Sequence, residues 1–157
     1  VALQVFLLMI GEVKMAQVSI QEDVLIGVPD EPRLIGGKCP DCGNHVFPMQ
    51  KDCPKCTGNQ IEEVELSTRG TLWTWTVQGF PPKAPPYIGE TDPSSFESYG
   101  VGYVELPGEV KVEARLTESN PERLEVGMEM ELTVVPLKTD EQGNEIVTFA
   151  FRPVENK

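Results

Sequence analysis

The sequence predicts a mainly β chain in which a small cysteine-pinned unit precedes a larger antiparallel sheet. Three observations predict it. Four cysteines, Cys39, Cys42, Cys53 and Cys56, stand as two Cys-x-x-Cys pairs ten residues apart, and the chain has no other cysteine. After Ile61, apolar and polar residues alternate at period two in five separate segments, the pattern of strands with one buried face. Gly and Pro clusters punctuate those segments, whereas helical spacing is confined to one stretch near the N-terminus.

The first ten residues, VALQVFLLMI, are almost wholly apolar but make only about half the length of a membrane-spanning helix. They also lack the basic start and small-residue cleavage site of an export signal, so they are expected neither to span nor to export. Met15-Ala16-Gln17 resembles an ordinary start, and residues 1–18 are taken as an N-terminal extension. The alternative is a short amphipathic element that covers a partner surface. From Ser19 to Val28, Ile20, Val24, Leu25 and Val28 recur at helical spacing, which predicts a short helix ending at Gly27 or before Pro29.

Pro29-Asp30-Glu31-Pro32 cannot continue a helix, and Arg33–Lys38 then feeds the first cysteine pair as a strand. Each pair lies in a tight-turn context, Cys39-Pro40-Asp41-Cys42-Gly43 and Cys53-Pro54-Lys55-Cys56-Thr57-Gly58, where the glycine is expected to take positive φ and close a knuckle around a metal. Four thiolates suit tetrahedral Zn²⁺ and leave no open coordination position, so a structural zinc is expected, not a catalytic one. Two disulfides are the alternative, but the paired spacing suits a single metal better. Iron on the same four ligands would make an electron carrier. Ligand type alone does not choose between the metals, and the lack of an aromatic cluster or second redox motif around the site favours zinc.

His45, three residues past Cys42, reads as a hairpin surface residue and not as a ligand. The segment Asn44–Pro48 forms the other arm of a rubredoxin-like zinc ribbon, with Pro48 at an edge because it cannot donate to a ladder. Cysteines that are all committed to a metal also point to a reducing compartment, hence the cytoplasm.

The five alternating segments follow. The first, Thr68–Val77, places Trp73 and Trp75 on one face and threonines on the other; the second is Tyr99–Leu106. A turn at Pro107-Gly108 delivers the third, where Val110, Val112, Ala114 and Leu116 alternate with polar residues. Asn120-Pro121 caps one short helical turn, the fourth segment begins after Gly127, and the fifth is Ile146–Arg152. Five strands with a helical turn between the third and fourth, and glycines at Gly70, Gly100 and Gly102 that permit sharp coiling, fit a Greek-key barrel of OB type. A β-sandwich would want more strands. The expected organisation is thus an extension over 1–18, helix plus zinc ribbon over 19–60, and an OB-fold domain over 61–157.

Gly79–Ser98 interrupts the barrel with five prolines and three aromatic residues. A connection of this length is either a solvated insertion or functional. In the functional reading Phe80, Lys83, Tyr87 and Phe96 face a partner or an acyl-CoA, and proline stiffness lowers the ordering cost of binding. The net charge of −12 opposes general affinity for phosphate backbones. An apolar share of 39% is enough for a core.

The string Pro32-Arg33-Leu34-Ile35-Gly36-Gly37-Lys38-Cys39-Pro40-Asp41-Cys42-Gly43, the second knuckle, and Gly70-Thr71-Leu72 followed by a proline-rich loop resemble the zinc-ribbon plus OB-fold family of acyl-CoA-associated proteins, domain of unknown function 35. The resemblance covers roughly Ser19 to Pro153. It implies a small subunit of complexes with thiolase-fold enzymes, which include thiolases, aldolases acting on CoA thioesters, and hydroxymethylglutaryl-CoA synthase. In that family the large partner supplies the catalytic cysteine and histidines and binds most of the acyl-CoA.

Cys39, Cys42, Cys53 and Cys56 match the family's metal knuckles, and no catalytic residue transfers. The residues agree with this, because the single histidine has no nucleophile nearby in sequence and no serine sits in a nucleophile elbow. Lys83 and Arg69 are the candidate aids to a CoA phosphate. The expected function is a non-catalytic accessory subunit for thiolytic or retro-aldol chemistry on acyl-CoA, with benzoylsuccinyl-CoA thiolase as one form of it. Single-stranded nucleic-acid binding through Trp73 and Trp75 is the alternative, against which the acidic balance weighs.

Overall fold

The computed structural model describes residues 15–155. The apolar run and most of the expected extension, residues 1–14, lie outside the described residues. The described residues carry ten strands: β1 Gln17–Ser19, β2 Leu25–Ile26, β3 Arg33–Lys38, β4 His45–Val46, β5 Glu62–Glu65, β6 Arg69–Gln78, β7 Tyr99–Glu105, β8 Lys111–Leu116, β9 Glu129–Thr139 and β10 Glu145–Pro153.

Strands β2 to β5 form the ribbon sheet, in which β3 pairs antiparallel with β2, β4 and β5. The last five strands close a barrel in the order β6-β7-β8-β10-β9 and back to β6. All pairs in that ring are antiparallel except β8 with β10, which run parallel at Arg115↔Ala150 and Leu116↔Phe151. Closure leaves no unpaired ladder on the ring, which is how an all-β unit of this size avoids exposed edges. The five-stranded barrel after a zinc ribbon is the architecture that the alternation and the cysteines predict.

The helix expected over Ser19–Val28 does not form. Of its apolar residues Val24 and Leu25 are buried, Val28 is half-buried and Ile20 is exposed, and strand pairing sets the chain's path: β1 lies parallel to β10, one turn is closed by Val24 N and Leu25 N on Gln21 O at 3.1 and 2.9 Å, and Leu25 pairs with Leu34. A ten-residue helix is marginal in isolation, so ladder bonds to strands already in place prevail over local spacing. The Ser19 hydroxyl stabilises the turn by accepting from Gln21 N at 3.2 Å. Gln17 and Val18, assigned to the extension, are part of that added strand.

Ribbon and barrel share one core. Leu25, Leu34 and Leu66 on the ribbon side pack with Leu72, Val104, Met130 and Phe151 of the barrel, and Phe47 meets Phe149 edge-on at 5.7 Å. Gly36 makes this stacking possible, because a Cβ there would stand 2.8 Å from Val46 O and 2.9 Å from Leu66 Cδ2. Ser67, where the chain passes from β5 to β6, is held by Glu109 through its N–H at 2.9 Å and its hydroxyl at 3.0 Å. The helical turn after β8 forms as expected, over Pro121–Arg123, with the Asn120 side chain accepting from Glu122 N at 3.0 Å.

A second departure lies in β6. The register slips between Leu72, opposite Val104, and Thr74, opposite Tyr103, so a bulge at Trp73 shifts the alternation by one residue. Leu72 and Trp75 therefore face the core, while Trp73 turns outward and is 52% exposed. The two tryptophans do not share a face, because period-two counting assumes an unbroken ladder.

Glu131 on β9 fastens the closing seam. Its carboxylate accepts from Arg152 Nε of β10 at 2.8 Å and Arg69 of β6 at 3.2 Å, and the Arg152 contact holds its carboxyl below the usual range. A lowered carboxyl contributes stability that is full above about pH 4.3, the unfolded value, and is lost as pH falls through the lower folded value. Glu131→Gln is expected to cost about 0.5–1 kcal/mol at neutral pH and close to nothing in strong acid. Urea denaturation of both proteins at pH 7 and pH 3 checks it; an equal loss at both values would assign the effect to packing.

Candidate metal centre

Strand β3 delivers Cys39 to the first knuckle and β4 leaves it, while Cys53 and Cys56 come from the loop between β4 and β5. Backbone bonds shape both turns. Gly43 N donates to Cys39 O at 2.8 Å and Cys39 N to Asn44 O at 2.9 Å; in the second knuckle Thr57 N donates to Cys53 O at 2.9 Å and Cys53 N to Gly58 O at 2.7 Å. Gly43 takes positive φ as expected, at 73°. In the second knuckle the left-handed residue is Thr57, with φ 63°, and not Gly58. Gly58 is needed instead for close approach, since a Cβ there would lie 2.5 Å from Asp41 Oδ2.

These turns bring the four sulfurs within 4.8 Å of one another. Cys39 Sγ is 3.5 Å from Cys56 Sγ, and Cys42 Sγ is 3.6 Å from Cys53 Sγ, so each close pair spans the two knuckles. A disulfide requires about 2.05 Å. A tetrahedron of metal–sulfur bonds of about 2.3 Å has sulfurs about 3.8 Å apart, which these distances suit. Cys39 and Cys53 are buried, Cys42 is half-buried and Cys56 reaches the surface.

The electrostatics suit a cation. The Cys56 N–H directed at the Cys53 sulfur lowers that thiol to about 7, while burial works against it. At Cys56 the Gly58 N–H favours the thiolate, yet the adjoining Cys42 and Cys39 sulfurs outweigh it and push the thiol up to about 12. Four sulfurs this close cannot all ionise on their own, and a divalent cation at their centre removes that conflict. His45, half-buried in β4 opposite Lys38, is not among the converging ligands.

The proline-rich loop between β6 and β7 folds back on the barrel wall. Tyr87 and Phe96 are half-buried and, with Arg115 of β8 and Pro136 and Leu137 of β9, line a cavity of about 210 Å³. Phe80, 71% exposed, and Lys83 stand in solvent. The four loop residues expected to face a partner or ligand thus divide into two that hold the loop and two that project from it.

Sequence reasoning passed over Arg115, whose guanidinium sits 3.9 Å over the Tyr99 ring. The Pro107-Gly108 turn carried the signal, because a hairpin register places Arg115 diagonally from Tyr99 on one face.

Residues 28–62 match the family model for the ChsH2 rubredoxin-like zinc ribbon domain, and residues 63–135 match that for the ChsH2 C-terminal OB-fold domain. A DUF35 domain-containing scaffold protein of Pyrococcus furiosus is 35% identical over 123 residues, covering 78% of this chain and 84% of the relative. The chain belongs to the DUF35 family. The benzoylsuccinyl-CoA thiolase subunit BbsA of Thauera aromatica is also similar, 31% identical over 78% of each chain. Among solved structures, the Ltp2-ChsH2(DUF35) aldolase is similar at TM-score 0.57 and 25% identity, over 77% of this chain and 84% of that one. All four cysteines fall inside the zinc-ribbon match and the proline-rich loop falls inside the OB-fold match.

Replacing Cys53 with serine is expected to abolish stoichiometric metal binding and unfold the ribbon beyond β3, because ligand binding and folding are one free energy in so small a unit. Metal analysis together with amide exchange over residues 39–61 checks it; a variant that keeps both its metal and its protection would remove the clamp from the account.

Proposed function

We propose that this chain is the non-catalytic accessory subunit of a hetero-oligomeric thiolase-fold enzyme complex acting on acyl-CoA, with a structural Zn²⁺ on Cys39, Cys42, Cys53 and Cys56. The observation that carries the reading is the convergence of the four sulfurs on one point. It commits every cysteine of the chain to one cluster, and the one histidine lies outside that cluster. The machinery of acyl transfer, a nucleophile within reach of a base, then has to come from another polypeptide. Relatives named as scaffold proteins, as a thiolase subunit and as an aldolase complex support the same division of labour.

Zinc over iron follows from the role. A clamp needs a closed tetrahedral site without redox chemistry, and nothing else in the reading requires electron transfer. Thiols held 3.5 and 3.6 Å apart, beyond disulfide distance, suit a reducing compartment, the cytoplasm. Acyl-CoA is held mainly by the partner, with Phe80 and Lys83 the residues of this chain best placed to reach it. Thiolytic or retro-aldol cleavage of a carbon–carbon bond is the reaction class, the benzoylsuccinyl-CoA thiolase type being its most specific form.

Co-expression with a thiolase-fold polypeptide from the same genome tests this. The expected result is a colourless complex with one zinc per copy of this chain and CoA-dependent carbon–carbon cleavage that neither protein shows alone. Turnover by the purified chain by itself would sink the proposal.

A further inference from the structure

We propose that the outer face of β6, β7 and β8, centred on Trp73 and Tyr103, is the surface on which the partner polypeptide seats, and that the seated surface is apolar and without net charge. The inference rests on the accessory-subunit reading above and names where in this chain assembly happens. It starts from the bulge in β6. That one-residue slip turns Trp73 out of the barrel, against Tyr103 of β7, with ring centroids 6.2 Å apart and planes at 88°. Large exposed aromatic residues are costly for a chain that stays alone, and Trp and Tyr are the side chains that dominate binding energy at protein interfaces.

The rings are held in place by their own strands. Lys111 Nζ lies 4.6 Å from the Trp73 ring centre and 3.3 Å from Glu105 Oε1, and the Tyr103 hydroxyl donates to Glu113 Oε2 at 2.9 Å. Side chains ordered before binding lose less entropy on binding. Further along the same face Arg115 covers Tyr99, so the patch runs on toward the proline-rich loop.

Charge identifies the occupant. Two cations, Lys111 and Arg115, stand against two carboxylates, Glu105 and Glu113, on a chain whose net charge is −12. Each is also engaged within the face: Lys111 with Trp73 and Glu105, Arg115 with Tyr99, and Glu113 with Tyr103. Lys111 and Glu105 pair within the patch while Arg115 and Glu113 offset one another in net charge, which suits a protein surface that is apolar over the two rings and leaves Arg115 and Glu113 at a wet rim. A polyphosphate backbone would need uncompensated cations here.

The test measures association with the co-expressed thiolase-fold polypeptide by calorimetry for wild type, Trp73→Glu, Tyr103→Ala and Met49→Glu, with circular dichroism melts and metal content alongside. Met49 is exposed in the ribbon between β4 and β5, whose sheet pairs with none of β6, β7 and β8. Trp73→Glu and Tyr103→Ala are expected to weaken association by roughly 30-fold or more while folding and metal content stay unchanged, and Met49→Glu to have less than about a twofold effect. Trp73→Ser serves if the glutamate does not fold. Wild-type association that survives the Trp73 and Tyr103 changes would overturn this inference alone. Folded, metal-loaded wild type that fails to associate would overturn the accessory reading and this one with it. If Trp73→Glu instead converts a dimer of this chain to a monomer, a second copy owns the face and the inference falls.

Discussion

The convergence of four sulfurs is the constraint on which the ribbon depends. Between Cys39 and Ile61 the only buried residues are Cys39, Val46 and Cys53, far too few to offset the entropy of ordering that stretch. Four thiols that oppose one another's ionisation suit a shared cation, and a cation bound there would do for this segment what a core does elsewhere. The other half of the ribbon does not share this dependence, since Leu25, Leu34 and Leu66 are sunk in the barrel core. Strand β3 joins the two regimes, with Leu34 in the shared core and Cys39 at the cluster.

The barrel supplies rigidity of a different kind. Closure through the parallel β8–β10 pair and the β9–β6 seam leaves the ring without an edge, and Glu131 ties three of its strands together from outside. On that frame one irregularity, the bulge at Trp73, decides which face presents aromatic rings. The proline-rich loop is anchored on the same wall through Tyr87 and Phe96, leaving Phe80 and Lys83 free at its outer rim.

Together these features support the accessory reading. One cluster gathers all four thiols, and exposed aromatic rings with paired neighbours lie on a single face of the barrel. Membership of a family whose relatives carry the names of scaffolds and enzyme subunits fits that physical picture. The net charge of −12 weighs against a phosphate backbone as the ligand of this OB barrel.

The amino-acid sequence by itself determined the elements whose causes are local. Cysteine spacing specifies a knuckle pair, period-two alternation specifies strands, and Asn120-Pro121 specifies a capped turn, because each depends on residues within a few positions of one another. Tertiary structure decided whatever depends on which strands meet. Ser19–Val28 lost its helix because β10 and β3 offered ladders, and Trp73 left the core because β7 set a slipped register, whereas the left-handed Thr57 answers to local spacing, four residues past Cys53 as Gly43 is past Cys39. Pairing energy between distant segments has no signature in the spacing of either one alone, and that is the physical reason the barrel was legible while its outer face was not.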